Sequence, residues 1–263
     1  GRCGTALSSH ELGQPDVYRD IVDPSVYVRF PIVDRDVDLL VWTTTPWTLS
    51  SNTALCVGPN IEYVLVSTFN PYTHEPVQVV LAKELVKNHF GKGFVAVEDE
   101  AGLVGYDQSG KNIPFAVLGE CKGSDLVGIR YEQLLPGALP HEHADQAFRV
   151  ISGDFVTTSD GTGIVHIAPT FGADDARVAT EAGVPAMLVL DDKENPVPLV
   201  DLRGKFRMEV FDPVFGLGGE FGIGMALIAE TWPAHRRNRA SSYVGMGWQA
   251  GVLAAALLTP LLL

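Results

Sequence analysis

The chain has little of anything that would hold it together from outside a hydrophobic core. Its three cysteines, Cys3, Cys56 and Cys121, are odd in number and far apart, which excludes the disulfide framework of a small secreted domain and fits a reducing compartment. No Cys/His cluster has a complete zinc spacing. Basic residues are also scarce: 19 Lys and Arg stand against 32 Asp and Glu, a formal net charge of −13. A whole-chain basic footprint for strong phosphate-driven binding is therefore missing, and any nucleic-acid contact has to be local. The amino-terminal end lacks the basic start and apolar run of a secretory signal.

What is present is enough for one large domain. The 263 residues are 46% apolar and 19% charged, with 27 Gly and 17 Pro, a profile of a globular chain rich in strands and turns. Residues 1–34 are largely polar and turn-rich and read as an incoming linker, cut from a longer chain. Residues 35–213 carry the folded domain. Strand-like runs are expected at 27–33, 37–42, 63–67 and 77–81, the last leading into a helix over 83–89. Further strands are expected at 94–97, 115–118, 148–152, 163–167 and 185–190. A helix over 174–181 begins with acids and is closed by Gly183 and Pro185. The sum is a mixed α/β domain in which strands predominate, without regular strand–helix alternation.

Residues 214–263 depart from this composition. Residues 215–224 are Gly-rich, 235–239 are basic, and 244–263 are almost wholly apolar, close to the ~20 residues that cross a bilayer. Gln249, two early glycines and Pro260 interrupt the apolar run. The tail is left unassigned between an appendage foreign to the domain, a buried core segment and a membrane anchor.

Two stretches carry candidate chemistry. In Trp42-Thr43-Thr44-Thr45-Pro46-Trp47-Thr48-Leu49-Ser50-Ser51-Asn52, three threonines end an apolar strand that Pro46 stops, placing hydroxyls and exposed backbone groups where the chain must turn. Such an edge suits a water and a ribose; it equally suits a strand end whose threonines cap the next turn. In Asp160-Gly161-Thr162-Gly163-Ile164-Val165-His166-Ile167-Ala168-Pro169-Thr170-Phe171-Gly172-Ala173-Asp174-Asp175, a glycine turn feeds a strand bearing one His, and a second glycine turn opens a helix with two acids. Singly, His166 suits a core histidine and the Asp pair a helix cap; together they place a His and an Asp on one rim. Pro140-His141-Glu142-His143-Ala144-Asp145 lacks the i, i+4 histidines of a helical zinc site and reads as a polar loop. The glycines of 216–224 miss the G-x-G-x-x-G spacing.

Residues 43–52 resemble the threonine-rich peptide of the editing insertion (connective peptide 1) of isoleucine–tRNA ligases, a class I family, and 161–175 resemble that domain's second signature. Relatives for valine and leucine carry an arginine where this chain has Thr45, so Thr43-Thr44-Thr45-Pro46-Trp47 favours the isoleucine branch. Residues 2–11 and 23–30 are similar to that family's approach to the insertion. Thr170-Phe171-Gly172 departs from the Gly-His-Gly of many bacterial members.

The resemblance implies a strand-rich, β-barrel-like editing domain with peripheral helices that hydrolyses mischarged Val-tRNA(Ile), with valyl-adenylate as a further substrate. One methylene in an apolar pocket is worth only about 1–3 kcal/mol, a limit that valine and isoleucine in these very ligases illustrate, so a second site must remove the error. It further implies that Asp175 binds the α-ammonium of the misattached valine and that Thr43, Thr44 and Thr45, with Asn52 and Trp42, line the site for the terminal adenosine and the attacking water. His166 shapes the wall that admits valine and rejects isoleucine. Threonine is a poor base, so Thr43, Thr44, Thr45 and Asp175 form the catalytic set by orienting groups and water, and Asp174 is left as a cap of the helix. No metal is expected: Cys3 resembles half of a zinc pair whose partner would precede Gly1. Zinc and ATP belong to the parent enzyme, whose His-Ile-Gly-His and Lys-Met-Ser-Lys-Ser signatures this chain lacks. The expected partner is the tRNA(Ile) 3′ end carrying valine, and the expected state is a cytoplasmic monomer off the membrane. The alternatives are a non-catalytic module that binds the tRNA 3′ end or aminoacyl-adenosine, and a membrane-tethered protein.

Overall fold

A computed structural model describes residues 25–108, 110–135 and 138–201, together with Gln14 and Arg207. The apolar tail 214–263 and Cys3 lie outside them. Eleven strands form three sheets among the described residues. The largest has six strands in the order β1 (Val26–Pro31), β2 (Asp38–Thr43), β5 (Pro76–Ala82), β4 (Glu62–Phe69), β7 (Ile113–Lys122) and β6 (Phe94–Val97). The second places β3 (Ala54–Val57) between β8 (Arg149–Ser152) and β9 (Ile164–Ile167), parallel to the first and antiparallel to the second. The third is the pair β10 (Leu188–Leu190) and β11 (Pro196–Pro198).

Alternation along β2 shows how the strands specify their layers. Leu39, Val41 and Thr43 are buried while Asp38, Leu40 and Trp42 are half-buried, as the two-residue period of a pleated strand requires. Leu39 and Val41 join Phe30, Leu55, Val57, Tyr63, Val80 and Ile164 in a core shared by the large sheet and the β8-β3-β9 sheet. On the outer face of the large sheet, Val64, Val66, Val79 and Leu81 pack with Phe90 and Phe115. On the outer face of the small sheet, Ala54, Cys56, Ile151 and Ile167 receive Val178 and Ala179 of the helix Ala173–Glu181. β3 is thus covered on both faces, and all four of its residues are buried.

Polar bolts join the two sheets. The buried Tyr63 hydroxyl donates to the Gly163 carbonyl (2.6 Å) and accepts from the Gly58 N–H (3.0 Å); burial pushes its pKa up to about 12. The Ala82 N–H donates to the Thr162 carbonyl at 2.8 Å. Asn52, just before β3, donates to the Ala54 carbonyl (2.7 Å) and accepts from the Tyr131 hydroxyl (2.6 Å).

The mixed, strand-rich class with peripheral helices is as expected, with four corrections. The large sheet is open, with β1 and β6 as its edges, so no closed barrel forms among the described residues; one face is covered by the second sheet instead. β1 lies inside the segment read as a linker, and pairs with β2 from Val26↔Thr43 to Pro31↔Asp38, so the folded domain starts before residue 35. The helix expected over 83–89 divides into a 3₁₀ turn, Lys83–Leu85, and one α turn, α1 (Val86–His89). The strand expected over 185–190 shortens to β10 (Leu188–Leu190): Pro185 has no N–H to give a ladder, and the Leu188 N–H turns back to the Ala186 carbonyl at 2.8 Å. A second α turn, α2 (Gly123–Leu126), follows β7, and the helix Ala173–Glu181 is α3.

At Gly163 the two sheets approach each other closely. Its φ is +74°, and a Cβ there would stand 2.4 Å from the Ala82 Cβ. Gly163→Ala is expected to lower the free energy of unfolding by about 2 kcal/mol or more, from left-handed strain plus overlap, read as a fall in the urea midpoint. Asn52→Ala leaves the buried Tyr131 hydroxyl without its acceptor and is expected to cost about 1–3 kcal/mol in the same assay; an unchanged midpoint would remove Asn52 from the framework.

Candidate active site

The turn after β2 is built by its own threonines. The Thr43 Oγ1 accepts the Thr45 N–H at 3.0 Å, and Thr43 Oγ1 and Thr45 Oγ1 lie 3.2 Å apart. Pro46 then opens the 3₁₀ segment Pro46–Ser51, where fixed φ and a missing N–H are tolerated. One turn on, the Thr48 hydroxyl donates back to the Thr45 carbonyl (2.8 Å), and Thr48 N–H donates to the same oxygen at 3.0 Å. The threonines thus bond the turn locally, but no side chain caps the 3₁₀ segment at Thr45.

The second stretch arrives through sheet register. β9 pairs with β3 so that His166 stands opposite Leu55, and the imidazole Nε2 lies 3.1 Å from Thr48 Oγ1 in a buried contact. His166 is only 6% exposed, and burial lowers its pKa to about 4, so the ring is neutral at physiological pH. The chain then turns through Ala168 to Gly172 into α3, and the Asp175 carboxylate accepts the Ala168 N–H at 2.9 Å. A Cβ on Gly172 would stand 2.9–3.1 Å from that carboxylate, so a glycine there lets the acid fold back over its own helix start.

Both stretches line one cavity of about 490 Å³. Trp42, Thr43, Thr44, Thr45, His166 and Asp175 all border it, as does the glycine turn at 160–163. Asn52 does not: it is 4% exposed and engaged with Ala54, Ile167 and Tyr131, a bolt under the site rather than part of its surface. Asp174 does not cap α3 by its side chain; it points toward Arg177 at 3.9 Å. Sequence reasoning passed over Thr48, Trp47, Phe155 and Phe171, which also line the cavity. The signal for Thr48 was available, since i+3 spacing from Thr45 returns a side chain to the same side of a 3₁₀ turn.

Charge in the cavity is sparse. Burial raises the Asp175 pKa first of all, the Ala168 N–H opposes this, and Asp174 adds to it. Asp175 has no ion-pair partner among the described residues, for the neighbouring Arg177 is taken up by Asp154, Asp174 and Glu181. A half-buried carboxylate at a helix start, short of a cation, is suited to an ammonium ligand. Cys56 is not a competing nucleophile: burial, then Asp175, pushes its thiol up to about 12. No group of three or more His, Cys, Asp or Glu among the described residues is arranged to hold a metal ion.

No family model matches the chain. It is 57% identical over 214 residues to the isoleucine–tRNA ligase of Cytophaga hutchinsonii, and 53% identical over 222 residues to that of Porphyromonas gingivalis. These matches take in 80% and 81% of the chain. The archaeal isoleucine–tRNA ligase of Thermoplasma acidophilum is 38% identical over 221 residues. Among solved structures, the GlLeuRS-CP1 crystal structure gives a TM-score of 0.43 at 15% identity, covering 85% of this chain and 84% of that one. The Plasmodium knowlesi cytosolic leucyl-tRNA synthetase editing domain gives 0.43 at 14%, covering 58% and 60%; likeness at that distance decides nothing further. The chain spans only 19% of the length of each of its two bacterial relatives, and with over half its residues identical to theirs across four-fifths of its own length it belongs to the isoleucine–tRNA ligase family, of which it represents one segment.

Proposed function

We propose that this segment is the proofreading unit of an isoleucine–tRNA ligase, hydrolysing the ester of valine mistakenly joined to tRNA(Ile). The observation that carries the reading is convergence: the threonine turn and the His166–Asp175 stretch, more than a hundred residues apart in sequence, line one cavity. Asp175 accepts the α-ammonium of the aminoacyl group, which brings the positive charge that no cation among the described residues places on this carboxylate. Thr43, Thr44 and Thr45 hold the terminal ribose and a water beside the ester carbonyl. Water adds to that carbonyl, the ribose oxygen leaves with a proton, and free valine and an intact tRNA 3′ end result. No strong base lies among these groups, so the acceleration comes from orientation and from the substrate's own neighbouring ribose hydroxyl. The enzyme works as part of a larger ligase, since a chain of net charge −13 holds little of a tRNA by itself.

That charge also favours one second reading, a module that binds the aminoacylated RNA end without hydrolysing it. No helix among the described residues is long and apolar enough to cross a membrane; the apolar run 244–263 that raises the tethered alternative lies outside them.

Purified chain at micromolar concentration is expected to deacylate Val-tRNA(Ile) and to spare Ile-tRNA(Ile). Asp175→Ala is expected to slow the valyl reaction roughly 10- to 100-fold, the worth of one charge-assisted hydrogen bond of about 1.5–3 kcal/mol. Binding of a non-hydrolysable valyl-adenosine amide without any ester hydrolysis would leave the binding module instead.

The pH dependence separates the two titratable groups. The His166 ring stays neutral as pH falls through 6.5 and takes up a proton only near 4, so kcat/KM should show no inflection from it near neutrality. The acid limb should instead follow protonation of Asp175, above the ordinary 3.8. An inflection near pH 6.5 that vanishes in His166→Gln would contradict this assignment.

A further inference from the structure

We infer that Thr48 is a positioning residue for His166, its hydroxyl holding the imidazole as the Nε2–H tautomer so that neither ring nitrogen is free to bond a ligand. A threonine hydroxyl has one proton to give. The Thr45 carbonyl, which can only accept, lies 2.8 Å from Thr48 Oγ1, closer than the imidazole Nε2 at 3.1 Å. The proton therefore goes to the carbonyl, Oγ1 turns a lone pair to the ring, and Nε2 must carry hydrogen for the contact to be a bond. The other nitrogen points the same way. His166 Nδ1 is fully buried without a hydrogen-bond partner among the described residues; a hydrogen there would be an orphaned donor, whereas a bare nitrogen leaves only a lone pair unfilled.

A flip of the ring would bring a C–H against Thr48 Oγ1 and forfeit the bond, so orientation and tautomer are set together. His166 then meets the cavity as a neutral wall of fixed shape, with one nitrogen engaged and the other buried, and not as an acid or base. Discrimination by a methylene needs a wall that does not yield. Thr48 thereby contributes to the rejection of isoleucine without touching the ester. This consequence for selectivity rests on the proofreading assignment; the tautomer does not.

Two readouts on the intact chain test the inference. Nitrogen-15 NMR of the histidine side chains, with His166 assigned by substitution, is expected to show Nε2–H in the wild type and in Thr48→Ser. Thr48→Val, of similar size but without the hydroxyl, is expected to mix or reverse the tautomers. The ratio of valyl to isoleucyl ester hydrolysis should fall about tenfold in Thr48→Val, the worth of one buried hydrogen bond, and recover in Thr48→Ser. A wild-type Nδ1–H ring overturns the inference, and so does a Thr48→Val chain that keeps both tautomer and ratio. If Thr48→Val does not fold, the wild-type spectrum and Thr48→Ser still decide, since loss of Nε2–H in the serine variant would also overturn it. A wild type with the Nε2–H ring that hydrolyses neither ester upholds Thr48 and sinks the proofreading assignment.

Discussion

The antiparallel register of β3 and β9, with Leu55 opposite His166 and Ala54 opposite Ile167, is the constraint on which the rest of the molecule depends. Because β3 is covered on both faces, a slip by one residue would exchange the shared core for the α3 side and expose neither set correctly. The 3₁₀ segment that leads into β3 is therefore held at a fixed height along β9, and Thr48 reaches the His166 ring. The Thr53 N–H extends the ladder to the Ile167 carbonyl at 3.0 Å, and Asn52 closes the junction through Ala54 and Tyr131. The site is a by-product of where these strands must lie to bury their side chains.

An acidic chain with so few charges in its cavity offers a ligand shape and hydroxyls there rather than a strong field. The threonine side chains satisfy one another and the turn, which leaves the cavity polar without being ionic. Of the two acids that border it, Asp160 and Asp175, Asp175 is kept apart from the neighbouring Arg177, whose guanidinium is occupied by three other acids. That separation matters physically: a carboxylate already paired offers an ammonium little, while an unpaired one in a half-buried place gains from it.

Much of this was legible in advance because alternation and turn chemistry are local. The period of two along β2 separates Thr43 from Trp42, the run Asp160-Gly161 marks the turn before β9, and the acids at 174–175 with Gly183 bound α3. What escaped has a common cause. β3 is four residues long and buried on both faces, so it shows no alternation and no length to distinguish it. β7 extends from Ile113 to Lys122, well beyond its apolar stretch, because its far half is exposed and reads as polar. Asn52 stands in the threonine-rich peptide yet faces inward, and Thr48 stands one turn beyond the triplet that drew attention.

The residues by themselves determine which groups exist for the chemistry: a threonine turn stopped by Pro46, a strand-borne His and a helix-starting Asp, with neither metal ligands nor a basic face beside them. Family resemblance lies in those same strings, since each motif is contiguous. The tertiary structure alone decides which of them share a surface. It puts Thr48 on His166 across 118 positions, sets Asp175 on the cavity rim away from Arg177, and withdraws Asn52 into the framework. Those outcomes depend on long-range strand register and on distant partners such as Tyr131 for Asn52, and no local pattern in the chain encodes either.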